Sequence, residues 1–248
     1  MPAGGDAPGA PLPAPDATCD GGDLDCGSGL LLIIRSAMRP LPPGGHLLVK
    51  SRERSVQEDL PAWCRMVGHD LLGETAADGG YTHYLLRKKR EDRELDRDLQ
   101  AAKEHVWQTR VRLVGGMRAR AAMRNHAVEV GQPASFDVED EAPSAVELVL
   151  AAVGGALTTG LAWRLSQQRV EVDNLEVVVK ARLDNALFFL GVEDGGSPAL
   201  AGLDVTVYTD AECDEDRLRQ VLDETVRRCP VTQSLTRGAP VTTALRQN

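Results

Sequence analysis

The segment from Ser144 to about Gln167 constrains the fold of this chain more than any other. Ser144 and Glu147 form a capping box, which predicts the start of a helix roughly 35 Å long at about 1.5 Å per residue. From Leu148 to Ala162 this helix is apolar on nearly every side, so we expect it to be buried all round. The half of the chain that surrounds it has only about 140 residues to cover it, which favours an intertwined homodimer.

The sequence around this helix predicts an α+β domain. Strands are expected before and after the helix, at 111–114, 118–123, 127–130, 175–183 and 203–209, with a last strand at Pro240–Leu245. One strip of the helix consists of small residues that let another backbone approach closely: Ala152, Gly155, Ala156, Thr159 and Gly160. We interpret this strip as a packing surface.

The Arg228-Cys229-Pro230 step is the strongest chemical signal in the chain. A charged amphipathic run from Asp214 to Arg228 predicts a helix, and Pro230 suits the first position of a second helix. Cys229 would then lie at a helix N-terminus beside Arg227 and Arg228, where the thiolate is favoured over the thiol. The pattern indicates a reactive thiol, and the alternative is a buried cysteine kept for packing.

Residues 19–88 follow the order βαβαββ, which predicts a two-layer sandwich with two helices on one face of a four-stranded sheet. The first strand is expected near Gly22–Asp25, from which the chain leads through Cys26 into an apolar helix. Ser55 and Glu58 match a capping box for the second helix.

Composition divides the chain into four segments. Residues 1–18, rich in Pro, Ala and Gly, predict a disordered tail. Residues 19–88 form the first domain, the charged segment 89–106 a connector helix, and residues 107–248 the second domain.

Charge and cysteine usage limit the functional classes. A formal net charge of −9 argues against nucleic-acid binding, and we interpret the basic run Arg87–Arg90 as a solvated element end. No secretory signal is expected, and Leu148–Trp163 falls short of the about 20 apolar residues that span a membrane, so a soluble, cytoplasmic protein is predicted. Five scattered cysteines and five histidines without ligand spacing predict neither a disulfide framework nor a metal site, and no cofactor is expected.

The second domain resembles the OsmC/Ohr family over roughly residues 107–246. The match rests on the segment from Pro143 to Gly155 and on Arg228-Cys229-Pro230-Val231. The resemblance implies an intertwined homodimer and, in active members, a thiol peroxidase that reduces organic hydroperoxides. One cysteine of the central helix attacks the peroxide, and the Cys-Pro cysteine resolves the sulfenic acid as a disulfide.

This family pattern maps onto the chain with one replacement. The central-helix position is Ala156, while the Cys-Pro position is kept as Cys229. Glu147 lies near the family's helix-opening glutamate. The family's catalytic arginine comes from the early strands, where Arg120 is taken as the candidate. Arg118 and Arg124 lie nearby and are alternative candidates for the same role.

The first domain resembles the TusA/SirA sulfur carriers over residues 19–88. The supporting segments are Asp20–Cys26, Pro43–Val49 and Leu60–Arg65. The family carries a persulfide on the cysteine of a Cys-Pro-x-Pro motif at a helix N-terminus. Here Cys26 retains the thiol, both prolines are replaced, and nearby Asp23 and Asp25 oppose thiolate formation. Cys26 is therefore a candidate carrier thiol, and the alternative is a relic thiol.

These features together predict a redox or sulfur-handling protein whose peroxidase activity is degenerate because Ala156 replaces the central-helix cysteine. The candidate site residues are Cys229, Cys26, Glu147 and Arg120. If it is an enzyme, it is a thiol-dependent peroxidase or a sulfurtransferase. One hypothesis is a one-cysteine peroxidase that uses Cys229 alone. Expected partners are a second copy, a small thiol or dithiol reductant, or a sulfur-donor protein. The alternative is a non-catalytic binding or regulatory dimer built from two degenerate redox folds.

Overall fold

The computed structural model describes residues 12–89, 93–132 and 141–247. Two compact units divide the chain. The first extends to His105 and also takes in Ser166–Arg169, and the second begins at Val106. Residues 1–11 of the predicted disordered tail lie outside the described residues.

The first unit confirms the predicted βαβαββ order. A helical turn at Cys26–Leu30 leads into the first helix. The elements are β1 (Ala17–Asp20), α1 (Leu31–Met38), β2 (His46–Ser51), α2 (Val56–Val67), β3 (Asp70–Ala76) and β4 (Thr82–Arg87). The sheet order is β1-β2-β4-β3, with β1 parallel to β2 and the other pairs antiparallel.

One face of this sheet and both helices share a single core. In β2, Leu47 and Val49 are fully buried, and they pair across the sheet with Leu86 and Tyr84 of β4. The helices add a list of buried side chains to the same cluster: Ile34, Met38, Leu60 and Trp63. Burying each such side chain contributes about 1.5–3 kcal/mol, so this core stabilises the unit.

Lys88 departs from the interpretation of the basic run as a solvated element end. Its ammonium is buried and donates to the carbonyls of Met38 at 3.0 Å, Arg39 at 3.2 Å and Leu41 at 2.8 Å. These carbonyls lie at the C-terminus of α1, where the helix dipole favours a positive charge. Lys88 therefore closes the end of α1, and its neighbour Arg87 is exposed and pairs with Asp70.

Two local predictions for the first unit are wrong. The first strand lies at Ala17–Asp20 and not near Gly22–Asp25, because β1 takes its register from parallel pairing with β2, and Gly22 turns the chain with φ +55°. Ser55 makes no capping hydrogen bond through its side chain, since its backbone is already helical (φ −62°, ψ −24°).

The second unit contains two antiparallel sheets and the long helix. The charged connector that precedes it forms α3 (Arg93–Lys103), which belongs to the first unit and contacts α1 there. The elements of the second unit are β5 (Arg110–Gly115), β6 (Arg118–Met123), β7 (His126–Val130), α4 (Ala145–Gln167), β8 (Val172–Leu183), α5 (Ala186–Phe189), β9 (Leu200–Ala211), α6 (Glu215–Arg228) and α7 (Pro230–Arg237). One sheet has the order β5-β6-β7 and the other pairs β8 with β9.

The predicted last strand at Pro240–Leu245 is wrong for the single chain. Residues 239–247 carry no regular secondary structure and are exposed. A strand requires hydrogen bonds to a neighbouring strand, and none pairs with this segment among the described residues.

Helix α4 is buried on one side only, so the prediction of burial all round is wrong for the single chain. The buried stripe is Val153, Leu157, Leu161 and Leu165, spaced four residues apart. It packs against the β8–β9 sheet and α6, which together cover one face of the helix. The opposite face is exposed, and 22% of the most apolar 18-residue window of α4 is buried.

By length and composition, α4 could cross a membrane, and it is the one such helix in the described part of the chain. The whole helix has 23 residues, and the apolar run Leu148–Trp163, which was expected to be too short to span a membrane, is only part of it. The core helix of a soluble protein passes the same test, and the stripe described above is what a core helix requires.

Candidate functional site

Cys229 joins two helices at the position that the sequence predicts. Its backbone is extended (φ −73°, ψ 117°), and the residue ends α6 and caps the N-terminus of α7. Pro230 occupies the first turn of α7, where its missing N–H costs nothing. The Cys229 sulfur accepts a hydrogen bond from the Thr232 N–H at 3.5 Å. The thiol thus faces the positive end of a short helix.

The surroundings of this sulfur are otherwise apolar. Cys229 is 4% exposed and forms a buried cluster with Val153 and Leu157 of α4. Arg227 and Arg228, which precede it, are exposed, and both form ion pairs with Glu224. Arg227 donates two hydrogen bonds of 2.7 Å to the Glu224 carboxylate. Their guanidinium groups are therefore engaged by a carboxylate of α6.

Ala156 packs against the same cluster as Cys229. The side chains that surround the buried members of the cluster are Ala156, Val177, Val179, Leu203 and Val231. The spacing of α4 explains this position, because Ala156 lies three residues after Val153 and therefore flanks the buried stripe on the same side of the helix. A methyl group of the long helix and the Cys-Pro thiol thus share one apolar cluster.

Glu147 acts in the structure as a capping residue. Its carboxylate accepts hydrogen bonds from the Ser144 N–H at 2.7 Å and from the Ser144 hydroxyl at 2.8 Å. The Ser144 hydroxyl accepts from the Glu147 N–H at 3.2 Å, so the predicted capping box is confirmed. The two bonds from Ser144 lower the pKa of Glu147.

Two of the three candidate arginines of the early strands form ion pairs with nearby glutamates, and the third lies in a turn. Arg120 lies 3.8 Å from Glu129 of β7, and both side chains are exposed. Arg118 pairs with Glu141. Arg124 occupies the turn between β6 and β7 with φ +53°. Among the described contacts, neither Arg120 nor Glu147 joins the Cys229 cluster.

Cys26 opens the helical turn that leads into α1. Asp25 caps this turn through a hydrogen bond from the Ser28 N–H, and Cys26 is half-buried against the core of the first unit. Burial, followed by the charges of Asp59 and Asp25, raises the pKa of Cys26 to about 11. The thiol form therefore dominates at neutral pH.

Two carboxylates, Asp25 and Asp59, raise the pKa of Cys26, and of these the sequence identified Asp25 but missed Asp59. The sequence also named Asp23, which is engaged elsewhere. Asp23 forms an ion pair with Arg52 at 2.6 Å. Asp59 belongs to α2, far from Cys26 along the chain, and only the packing of α2 against the Cys26–Leu30 turn brings it close. The helical periodicity of α2 was the available signal, since Asp59 lies three residues after the buried Val56 and four before the buried Trp63.

All five cysteines are free thiols. Burial raises the pKa of Cys19 and of Cys64 to about 12. Within the described residues, no group of three or more His, Cys, Asp or Glu side chains is arranged to hold a metal ion.

Both halves of the chain are similar to known proteins. Residues 138–244 match the OsmC family, described as OsmC-like protein. The first unit is 33% identical over 73 residues to the sulfur carrier protein TusA of Pseudomonas entomophila, covering 29% of this chain and 90% of that protein. The corresponding protein of Pseudomonas syringae pv. syringae is 32% identical over 73 residues, covering 29% of this chain and 86% of that protein.

Solved structures similar to the chain carry related names. The OsmC-like protein from Mycoplasma pneumoniae aligns with a TM-score of 0.47 and 10% identity, covering 55% of this chain and 90% of that one. The organic hydroperoxide resistance protein OhrB of Bacillus subtilis aligns with a TM-score of 0.37 and 15% identity, covering 55% and 93%.

The capping role of Glu147 predicts a pH dependence at the start of α4. Because its pKa is lowered in the folded state, its contribution is present above the ordinary value of 4.5 and is lost as pH falls through the folded value. We expect Glu147→Gln to reduce the hydrogen-exchange protection of the first turn of α4 at pH 6. At a second, acidic pH that protonates the parent carboxylate, variant and parent should converge, because the charge that distinguishes them is then absent.

The matched control is Glu176→Gln, which removes an exposed carboxylate from β8. It should leave protection at the start of α4 unchanged at both pH values. A Glu147→Gln effect of equal size at both pH values would show that the carboxylate charge has no part in the cap.

Proposed function

The chain belongs to the TusA family through its first domain and carries an OsmC domain at residues 138–244, and on this premise we propose that it handles sulfur and oxidants through two thiols. Cys26 takes up sulfane sulfur on the carrier side. Cys229 is the remaining thiol of an OsmC-type site whose peroxidase activity is weak or absent. The protein is thus a redox or sulfur-handling protein with a degenerate peroxidase site.

The observation that carries this proposal is the common cluster of Ala156 and Cys229. In active OsmC/Ohr members, a central-helix cysteine attacks the peroxide and the Cys-Pro cysteine resolves it. Here a methyl group takes the first position while the second thiol is kept. A methyl group can neither attack a peroxide oxygen nor form a disulfide, so the two-thiol cycle lacks its first step.

Cys26 supports the sulfur-handling half of the proposal. A thiol reacts with an inorganic polysulfide to give a persulfide and a polysulfide shorter by one sulfur, so a sulfane sulfur moves to the protein. The reacting species is the thiolate, and the pKa of about 11 makes it scarce at neutral pH. Uptake without a partner is therefore slow. A donor protein that neutralises Asp25 and Asp59 with basic groups would accelerate it.

A second candidate is a non-catalytic binding or regulatory dimer. The burial of Cys229 favours it, because a sulfur that is 4% exposed behind an apolar wall is poorly placed to meet a substrate in the single chain. This candidate predicts that no thiol of the protein gains sulfur or oxygen under mild treatment.

Both candidate functions, the redox or sulfur-handling protein and the non-catalytic binding protein, include assembly of the chain as a homodimer. The exposed face of α4 carries Ala152, Gly155 and Thr159, small residues that let a second backbone approach closely. A Cβ atom added at Gly154 would lie 3.4 Å from Val179, whereas one added at Gly155 meets open space. The strand β5 is exposed along its whole length and presents Leu113 at 74% exposure. A second copy of the chain would cover these apolar surfaces.

We further propose a cytoplasmic location and a small thiol or dithiol as reductant. Five free thiols persist in reducing compartments, where such reductants are abundant.

Polysulfide treatment of the full chain tests the sulfur-carrier function. We expect one sulfur atom on the tryptic peptide that ends at Arg35, and none on this peptide in Cys26→Ser. Because the peptide also contains Cys19, the matched control is Cys19→Ala, which should gain sulfur like the parent. A sulfur that persists in Cys26→Ser would exclude Cys26 as the carrier thiol.

Restoring a thiol on α4 tests the degenerate peroxidase site. The thiolate introduced by Ala156→Cys would attack an organic hydroperoxide and release the alcohol, and Cys229 would displace water from the sulfenic acid to form a disulfide. With a dithiol reductant, we expect hydroperoxide consumption at least about tenfold above the parent, or ~1.4 kcal/mol of added transition-state stabilisation. Ala156→Ser, of similar size, should resemble the parent.

The double variant Ala156→Cys with Cys229→Ser should lose dithiol-dependent turnover. Efficient hydroperoxide reduction by the parent protein, abolished by Cys229→Ser, would contradict the proposal and favour a peroxidase that uses Cys229 alone.

A bulky side chain on the open face of α4 tests the homodimer. We expect sedimentation analysis of the parent to give twice the chain mass. Gly155→Leu should weaken association by at least about tenfold, or ~1.4 kcal/mol, because its side chain meets open space in the single chain and another copy in the dimer. The control Ala62→Leu, on the exposed face of α2, should associate like the parent. A monomeric parent would rule out this dimer.

A further inference from the structure

A second cysteine lies in the same core as Cys26. Cys64 is 2% exposed and extends the buried face of α2 together with Leu60 and Trp63. Cys26 packs against this cluster from the helical turn that precedes α1. Residues of that turn approach α2 to within 8 Å between Cα atoms. Two thiols from different elements thus border one apolar core.

The electrostatics of the two thiols agree with this proximity. Burial raises the pKa of Cys64 to about 12, Arg65 opposes the rise, and the charges of Asp70 and Cys26 add to it. A charge on the Cys26 sulfur is therefore felt at the Cys64 sulfur.

We propose that Cys64 resolves a persulfide formed on Cys26, closing an intradomain disulfide. This inference rests on the proposed uptake of sulfur at Cys26. The Cys64 sulfur attacks the inner sulfur of the persulfide, the bond to the outer sulfur breaks, and that sulfur leaves with the Cys64 proton as hydrogen sulfide. The persulfide and thiol become a disulfide and hydrogen sulfide, so the sulfane sulfur is reduced as Cys64 is oxidised, and no external oxidant is needed.

The local backbone permits this closure. Disulfide formation requires Cα atoms less than about 7 Å apart, so closure requires the Cys26–Leu30 turn and α2 to bring Cys26 and Cys64 within that distance. Gly29 of this turn adopts φ +118°, a conformation that side-chain-bearing residues rarely take, and it interrupts the helical geometry between Cys26 and α1. The Cys26–Leu30 turn is therefore a separate backbone unit and not a regular continuation of α1.

The high pKa of Cys64 sets the pace of the reaction. Its thiolate is scarce at neutral pH, so attack on the persulfide is slow compared with transfer to an exposed acceptor thiol. A loaded carrier that meets an acceptor would deliver its sulfur. One that waits would discharge it as sulfide and become locked as a disulfide.

The experiment loads the full chain with inorganic polysulfide, removes the excess and follows sulfide release and tryptic peptides over time. In the Cys19→Ala background, we expect sulfide release to accompany a disulfide between the peptide ending at Arg35 and the peptide Ser55–Arg65. Cys64→Ala should keep the Cys26 persulfide several-fold longer and release correspondingly less sulfide. The linked peptide is measured on protein that retains Cys64, so this arm holds even where Cys64→Ala folds poorly.

The outcomes separate this inference from the function on which it rests. Sulfur on Cys26 that decays equally with and without Cys64, with no linked peptide, overturns the resolving role and leaves the carrier function standing. Failure of Cys26 to take up sulfur in both proteins, with no linked peptide, overturns both. A linked peptide together with a long-lived persulfide in Cys64→Ala supports both.

Discussion

The second domain depends on covering the long apolar helix α4, and its own chain covers one side of it. The buried stripe from Val153 to Leu165 is met by the β8–β9 sheet and α6, but the face around Gly155 is open. Exposed apolar surface costs about 25 cal/mol per Å² relative to burial, and this open face is the surface that the proposed homodimer would cover. The exposed strand β5 is a second surface that the proposed homodimer would cover.

The same helix determines the chemistry available at Cys229. Its stripe supplies the apolar wall around the sulfur and places the methyl group of Ala156 in the cluster. A backbone N–H at the start of α7 donates to this sulfur, and both neighbouring arginines form ion pairs with Glu224. Under the proposed function, Cys229 would be a resolving thiol beside a position, Ala156, that supplies no thiol for it to resolve.

Structural features that depend on residues close together in sequence could be predicted. Whether each one forms also depends on the backbone conformation at its position. The βαβαββ order and the Cys-Pro helix junction follow from periodicity and from the preferences of proline, and both are present. Two capping boxes were predicted from the same motif. The one at Ser144 forms, and the one at Ser55 does not, because the backbone of Ser55 is already helical when it enters α2.

The amino-acid sequence by itself determined the order of most helices and strands and where a thiol meets a helix N-terminus, because these depend on residues a few positions apart. Tertiary structure alone decided that Lys88 closes the end of α1, that Asp59 lies near Cys26, and that Cys64 borders the same core. The physical reason is that such groups are distant along the chain. Strand pairing and helix packing bring them together, and a local pattern carries no record of the partner that a side chain will meet.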